Sequence, residues 1–240
     1  RGDKSILLQS KKLKILSKIF RYKFVVNYEI QSQLKNFSFL SNILGFKILD
    51  KNPNIHKNLV INNKLSLFKN YIILHIDEKW FSKFYYTDFT DINPKSEDLK
   101  KLIYKISNII AKDYKILITS GNKKIDHVNE FISNFKTSDG YIYKKEINDH
   151  EVIFLNNISI NDLTFIVKKS KLVICCEGAI SHLSYNFDIP TLALYEKKKL
   201  QHTKFWTGHM NNISLHERKK MVDLLIDDNF FTTITLLVTI

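Results

Sequence analysis

Three short segments carry residue types suited to a phosphorylated ligand. The first is His75-Ile76-Asp77-Glu78-Lys79-Trp80, directly after a compact apolar run. A lysine just past a strand end can meet a phosphate as a point charge; the plainer alternative is a surface Lys79 paired with Asp77 or Glu78. The second is Thr119-Ser120-Gly121-Asn122, small and hydroxyl residues at a strand-to-helix turn. Such a turn lets backbone approach a ligand closely, though an ordinary βα turn has the same composition. The third is Cys176-Glu177-Gly178-Ala179-Ile180-Ser181-His182-Leu183. Small residues at Gly178, Ala179 and Ser181 leave N–H groups open at a helix start, which suits a diphosphate. Glu177 can accept hydrogen bonds from sugar hydroxyls. His182 lies one helical turn on, as a ligand contact or as a buried structural histidine.

The elements that would position these segments follow from periodicity. Compact apolar runs predict buried strands over 71–76, 115–119, 151–155, 171–176 and, after Pro190, 191–195. Between them come helices. One begins near Ser96 with Glu97 and Asp98 in its first turn, and Leu99, Leu102, Ile103, Ile106, Ile109 and Ile110 recur at helical spacing. Others are expected over 125–134, 159–167 and 180–187, with a last one over 214–227. Strands alternating with single helices imply an α/β fold with a parallel sheet covered on both faces. Ligands of such sheets bind outside the carboxyl ends of the strands, where all three segments fall. Before residue 70 the pattern predicts a basic helix over 5–20, a short strand over 24–26, and a helix over 28–44 closed by Gly45. A polar stretch over 52–63, with Pro53, marks a linker. The expected domains are therefore 1–60 and 61–240.

Bulk properties narrow the function classes. A 240-residue chain with 44% hydrophobic and 12% aromatic residues is not a disordered one. The net charge of +13 favours anionic partners. The abundance of Lys, Asn, Ile, Phe and Tyr also fits A/T-rich codons. No helix-turn-helix, zinc or RNA-binding motif accompanies the charge, so nucleic acid is not the expected partner. Cys175 and Cys176 are adjacent, a spacing unsuited to a disulfide or a zinc site. That points to a reduced, cytoplasmic chain. No apolar run is long enough for a spanning helix, the tail from Thr232 included. The chain begins at Arg1 and reads as a fragment.

The segment from Leu172 to Tyr195 resembles the donor-binding signature of glycosyltransferase family 9, the heptosyltransferases. That signature runs acid, Ser or Thr, Gly, two variable residues, His, Leu, then a helix, a Pro and a strand. Glu177 falls at the acid, Gly178 at the hydroxyl residue and Ala179 at the glycine; His182, Leu183 and Pro190 match. Ile160, Leu163 and Ile166 echo the preceding Leu-rich helix. Lys79-Trp80 resembles the family's Lys-and-Trp donor-phosphate motif, and Ser120-Gly121 its next strand-end turn, with Asp126 the nearest acid. Two departures concern backbone approach and arm length: Ala179 replaces a glycine and Glu177 an aspartate. A third is that Trp80 follows Lys79 without the usual intervening residue.

The resemblance implies a GT-B-type fold, with 61–240 a Rossmann-like nucleotide-sugar domain and 1–60 a remnant of the acceptor-side domain. The last helix would pack back on that N-terminal part. It implies donor contacts at Lys79, Ser120, Gly121, Asp126, Glu177, Gly178, Ala179, Ser181 and His182. The reaction would be an inverting sugar transfer, without metal or cofactor, within lipopolysaccharide biosynthesis. The donor would be a nucleotide-diphosphate sugar such as ADP-heptose, and the acceptor an anionic glycolipid or glycan. The family's general base lies upstream of Arg1. Basic runs at Lys11, Lys12, Lys14, Lys18, Arg21 and Lys23, and at Lys197 to Lys199, suit peripheral contact with the inner membrane face. Phe205, Trp206 and His209 are candidate cleft residues. The alternatives are a non-catalytic nucleotide-sugar-binding protein, a sugar-nucleotide epimerase and a basic nucleic-acid-binding protein.

Overall fold

The structure is a computed structural model that describes residues 60–81, 92–121, 125–137 and 139–239, with the backbone of strands β1 (Ile6–Gln9) and β2 (Phe24–Asn27). The chain divides into two compact units, one of residues 1–50 with 200–211, the other of residues 51–199 with 212–240. In the smaller unit β1 and β2 pair in parallel, Ile6 opposite Phe24. Strand pairing at Ile6–Gln9 corrects the start of the helix expected over 5–20, the rest of which lies outside the described residues. The three consecutive apolar residues there satisfy either period, and the parallel partner decides between them. The strand expected over 24–26 is present. The helix over 28–44 and the basic run from Lys11 to Lys23 lie outside the described residues. The smaller unit also holds α5 (Leu200–Thr207), and with it Phe205, Trp206 and His209.

The larger unit is built on one eight-stranded sheet. Its strands are β3 (Tyr71–Ile76), β4 (Lys115–Ser120), β5 (Lys136–Thr137), β6 (Ile142–Ile147), β7 (His150–Leu155), β8 (Leu172–Cys176), β9 (Thr191–Tyr195) and β10 (Ile213–Glu217). Their spatial order is β10-β9-β8-β3-β4-β7-β6-β5. Six are parallel, and only the β5-β6-β7 edge runs antiparallel. This mixed α/β architecture is the expected fold class.

Strand β3 shows why the sheet sits at the centre. All six of its residues are buried. Ile72, Leu74 and Ile76 pack with one cluster, beneath α1 (Ser96–Ser107), α2 (Asp126–Ile132), α6 (Met221–Leu225) and α7 (Asp228–Val238). Tyr71 and Ile73 pack with the other, beneath α3 (Ile160–Lys169) and α4 (Ala179–Asn186). The period of two along a strand divides its side chains between the faces, and a strand covered on both sides must be apolar throughout. At about 1.5–3 kcal/mol for each large apolar side chain buried, β3 is the element least able to move.

The helix expected over 214–227 is corrected. Ile213–Glu217 is an edge strand paired with β9, and two helices, α6 and α7, follow. Ile213 and Leu215 alternate inward, but the polar residues between them and the lysines after them obscure that period. Strands β5 and β6 were also not expected, for they carry Lys136, Lys144, Lys145 and Glu146. Phe230 and Ile234 of α7 are fully buried in the larger unit's core. Among the described residues no helix is long and apolar enough to cross a membrane.

Asp227 caps α7, accepting from the Asn229 and Phe230 N–H groups at 3.2 and 3.4 Å, and it meets Lys219 and His216 as well. Burial works against its charge, but the hydrogen bonds from Lys219 and His216 outweigh it and leave its pKa below the ordinary value. Asp227→Ala should cost about 1–2 kcal/mol, the range for a lost N-cap. The folded pKa lies below the unfolded one. The ionised group's contribution is therefore full above about pH 4 and fades as the pH falls through the folded value. Urea unfolding at neutral and acid pH should show the gap between wild type and variant narrowing in acid.

Candidate functional site

Parallel strands β8, β3 and β4 are neighbours, with Leu74 opposite both Ile118 and Ile174. The loops leaving their carboxyl ends must therefore emerge side by side, and the three segments singled out by sequence are those loops. After β3, Asp77 turns the chain into a 3-10 turn at Glu78–Trp80, its carboxylate accepting from the Lys79 N–H at 3.1 Å. Trp80 is fully buried and its indole N–H donates to the His75 carbonyl at 2.9 Å. That bond pins the turn to the strand end and aims Lys79 across the edge toward β8.

The Lys79 ammonium donates to the carbonyl of Glu177, 98 residues on, at 2.6 Å. It lies against the backbone of Gly178, where any Cβ would collide with it. Gly178 also has φ 158° and ψ −154°, a region essentially restricted to glycine. The backbone conformation thus requires Gly178, and the absence of a Cβ leaves the Lys79 arm its place. The Gly178 N–H donates to Ser181 Oγ at 3.2 Å, and Ser181 Oγ donates back to the Gly178 carbonyl at 2.7 Å. This reciprocal pair closes the first turn of α4. Ala179 is exposed on that turn and Ser181 is buried beneath it.

Gly121, after β4, packs against the first loop: a Cβ there would come within 2.5 Å of Glu78 Oε2 and 3.2 Å of the Asp77 Cβ. Ser120 ends β4 opposite Ile76. Lys79, Ser120, Gly121, Glu177, Gly178, Ala179 and Ser181 are thus gathered at one sheet edge. His182 is half-buried in the same turn, its N–H donating to the Gly178 carbonyl at 3.3 Å. Asp126 is exposed at the start of α2. Among the described residues no hydrogen bond or ion pair ties it to this group.

Arg218 was not singled out from sequence. It follows β10, is 4% exposed, and its guanidinium donates to the Lys79 carbonyl and, at 2.8 Å, to Cys176 Sγ. One side chain thus fastens the Lys79 turn to the end of β8. The signal available was that Arg218 is one of only three arginines in a lysine-rich chain. A planar fork holds two acceptors in fixed geometry, and an ammonium does not.

Burial sets the protonation of the surrounding groups. His75 bonds Thr119 Oγ1 through Nδ1 at 2.8 Å. Burial, then the Lys79 charge, lower its pKa to about 4, so it is neutral at pH 7. Burial raises Asp77 to about 6, although Lys79, the backbone bond and Arg218 pull it down and Glu78 pushes it up. Burial raises the Cys176 thiol to about 12 despite the neighbouring Arg218, which excludes it as a nucleophile.

A cavity of about 1220 Å³ opens beside the antiparallel edge, where acids and lysines are interspersed: Lys64 pairs with Asp139, and Lys115 and Lys144 share Glu151. Among the described residues no three His, Cys, Asp or Glu side chains cluster as a metal site would need. The electrostatically prepared place is the edge at Lys79.

The mostly parallel α/β sheet carries a cation and a helix start together at its carboxyl edge. The family model of glycosyltransferase family 9 (heptosyltransferase) matches residues 109–229, half of the chain, and the chain belongs to that family. The fold is similar to that of the E. coli heptosyltransferase WaaC with ADP-2-deoxy-2-fluoro heptose, at 13% identity and a TM-score of 0.54, over 93% of this chain and 60% of that one. It is also similar to a glycosyl transferase family 9 structure from Veillonella parvula, at 12% identity and a TM-score of 0.53, over 98% of this chain and 64% of that one. The chain therefore spans less than two thirds of the length of these structures. No curated protein matches it.

Asp77 offers a direct check of the site's electrostatics. Its folded pKa is raised, so its contribution to stability is full below the unfolded value and is lost as the pH rises through about 6. Carboxyl-carbon NMR should show a titration near pH 6 that vanishes in Asp77→Asn, a variant more stable than wild type at pH 8 by about 1–3 kcal/mol. Lys79→Met should move that titration further up.

Proposed function

We propose that the chain is the nucleotide-sugar-binding part of a glycosyltransferase that moves a sugar from a nucleotide-diphosphate donor to a glycan. The observation that carries this reading is the placement of Lys79 at the start of α4. Helix N-termini are the positive ends of their dipoles, and stability favours acids there. An ammonium held against that end brings side-chain and backbone donors together, and an anion could accept from both the Lys79 ammonium and the first-turn amides. A diphosphate has the charge and the length to meet both.

In the transfer, the acceptor hydroxyl attacks the anomeric carbon from the face opposite the diphosphate. The carbon–oxygen bond to the diphosphate breaks, its electron pair leaves with the phosphate oxygen, and the configuration inverts. Lys79 and the amides beyond Gly178 would stabilise the charge developing on that oxygen, with no metal required in that role. Glu177 would accept hydrogen bonds from ribose or sugar hydroxyls, and the Ser120-Gly121 turn would approach the nucleotide, with Ala179 and His182 flanking. Asp126 would join them only by contact with the nucleotide itself. The attacking hydroxyl's proton needs a general base, a role given to none of the residues gathered at this edge. Family membership makes a heptose donor such as ADP-heptose the first candidate, and lipopolysaccharide or a similar anionic glycolipid the first acceptor. Such an acceptor would bring the protein to the inner membrane face from the cytoplasm. We assign the donor domain to 61–240 and the acceptor side to 1–60.

Calorimetry with ADP, UDP, GDP and their sugars tests this reading. At least one should bind, and Lys79→Ala should weaken it by about 1.5–3 kcal/mol, the range for a charged hydrogen bond. Unchanged affinity in Lys79→Ala would remove the phosphate site from this edge.

A further inference from the structure

On the helix-covered face of the larger sheet, a groove of about 590 Å³ opens between α1, α6 and β6. None of the loops at the carboxyl edge lines it. Its floor is Phe131 and Leu225, both buried. Its rim carries Tyr104, Val222 and Ile226, which are 52%, 65% and 72% exposed. Seven large hydrophobic side chains stand exposed among the described residues, and three of them are gathered here. Scattered exposed apolar residues need no explanation, whereas a gathered set marks a contact surface.

The charge around this groove has one sign. Lys100, Lys101, Lys105 and Lys145 line it and no carboxylate does. Glu97 pairs with Lys100 at 2.5 Å from the turn above, an exposed i,i+3 pair of small worth. Lys105 and Lys145 lie over the rings of Phe231 and Phe135, at 5.2 and 5.9 Å from their centroids. These are cation–ring contacts of the ammonium groups themselves, beside the groove. An occupant must therefore be anionic and amphipathic. The projection of the rim decides which kind. A groove built for a peptide helix would keep its apolar contacts in the floor. Here the largest apolar exposure stands on the rim, where it can enter a headgroup layer while the lysines meet lipid phosphates.

We infer that this groove and its lysine rim bind an anionic membrane surface. The inference rests on the membrane contact proposed above and assigns it a face on the donor domain, separate from the nucleotide site. Val222→Cys in the full chain, labelled with an environment-sensitive fluorophore, reports on the rim directly, because Cys175 and Cys176 are buried. The emission should shift to the blue with vesicles of phosphatidylcholine and phosphatidylglycerol, and not with phosphatidylcholine alone. In cosedimentation, Lys101→Gln, Lys105→Gln and Lys145→Gln should each weaken binding about fivefold, the equivalent of about 1 kcal/mol per lysine. Ile226→Asp should abolish it with the far-UV circular dichroism unchanged. If these variants bind as wild type does, and substituting Lys197, Lys198 and Lys199 by Gln removes binding, the membrane contact stands and this assignment falls. A blue shift that appears on concentrating the protein without vesicles gives the groove to a second copy and overturns the inference. A shift with polyglutamate but not with vesicles gives it to an acidic protein and overturns it equally. No binding to the mixed vesicles sinks the membrane contact altogether, while nucleotide calorimetry still judges the donor site.

Discussion

The contact between the Lys79 ammonium and the Glu177 carbonyl organises everything at the carboxyl edge of the sheet. It joins two loops distant in sequence and sets the ammonium against the backbone of Gly178. It also places a cation where a helix already presents positive partial charge. Each supporting interaction holds Lys79 in that place. The Trp80 indole ties the turn down, the Asp77 carboxylate accepts from the Lys79 N–H, and Arg218 donates to the Lys79 carbonyl. Three bonds around a three-residue turn leave its backbone little freedom, so the lysine arm meets its target with little entropy left to lose.

The sheet makes this economy possible. Because β8, β3 and β4 are adjacent and parallel, loops nearly a hundred residues apart open at one edge without any special device. The alternating burial of β3 between two cores fixes its register, since a slip of one residue would reverse both faces. The site's geometry is therefore inherited from packing far beneath it. The low pKa of His75 and the high pKa of Asp77 have the same origin: both groups sit where that packing has removed water.

Much of this was legible in the residues themselves. The central strands announce themselves as unbroken apolar runs, because a strand covered on both faces has no polar side to show. Asp77 to Trp80, Ser120-Gly121 and Glu177 to His182 were legible as strand-end loops, and their side-by-side emergence follows from topology. What sequence obscured lies at the sheet margins. Residues 142–147 carry three charges, 213–217 hide their alternation among polar residues, and Ile6–Gln9 fits helix and strand equally well. Arg218 was lost for the same reason. Its importance depends on the strand before it, and a helix there would have sent it elsewhere. The raised pKa of Asp77 could not be read at all, because it depends on desolvation by residues remote in the chain.

The antiparallel margin also shapes how the molecule behaves in a crowd. The sheet ends on Lys136 and Thr137, a strand of only two residues, both exposed and one charged. A neighbouring chain seeking to extend the ladder would find too few free backbone groups to hold it, and an ammonium beside them. The long, flat, apolar template that seeds fibrils is missing from this side. The sheet thus keeps its unbroken hydrophobic strands inside and ends at this margin in a stub.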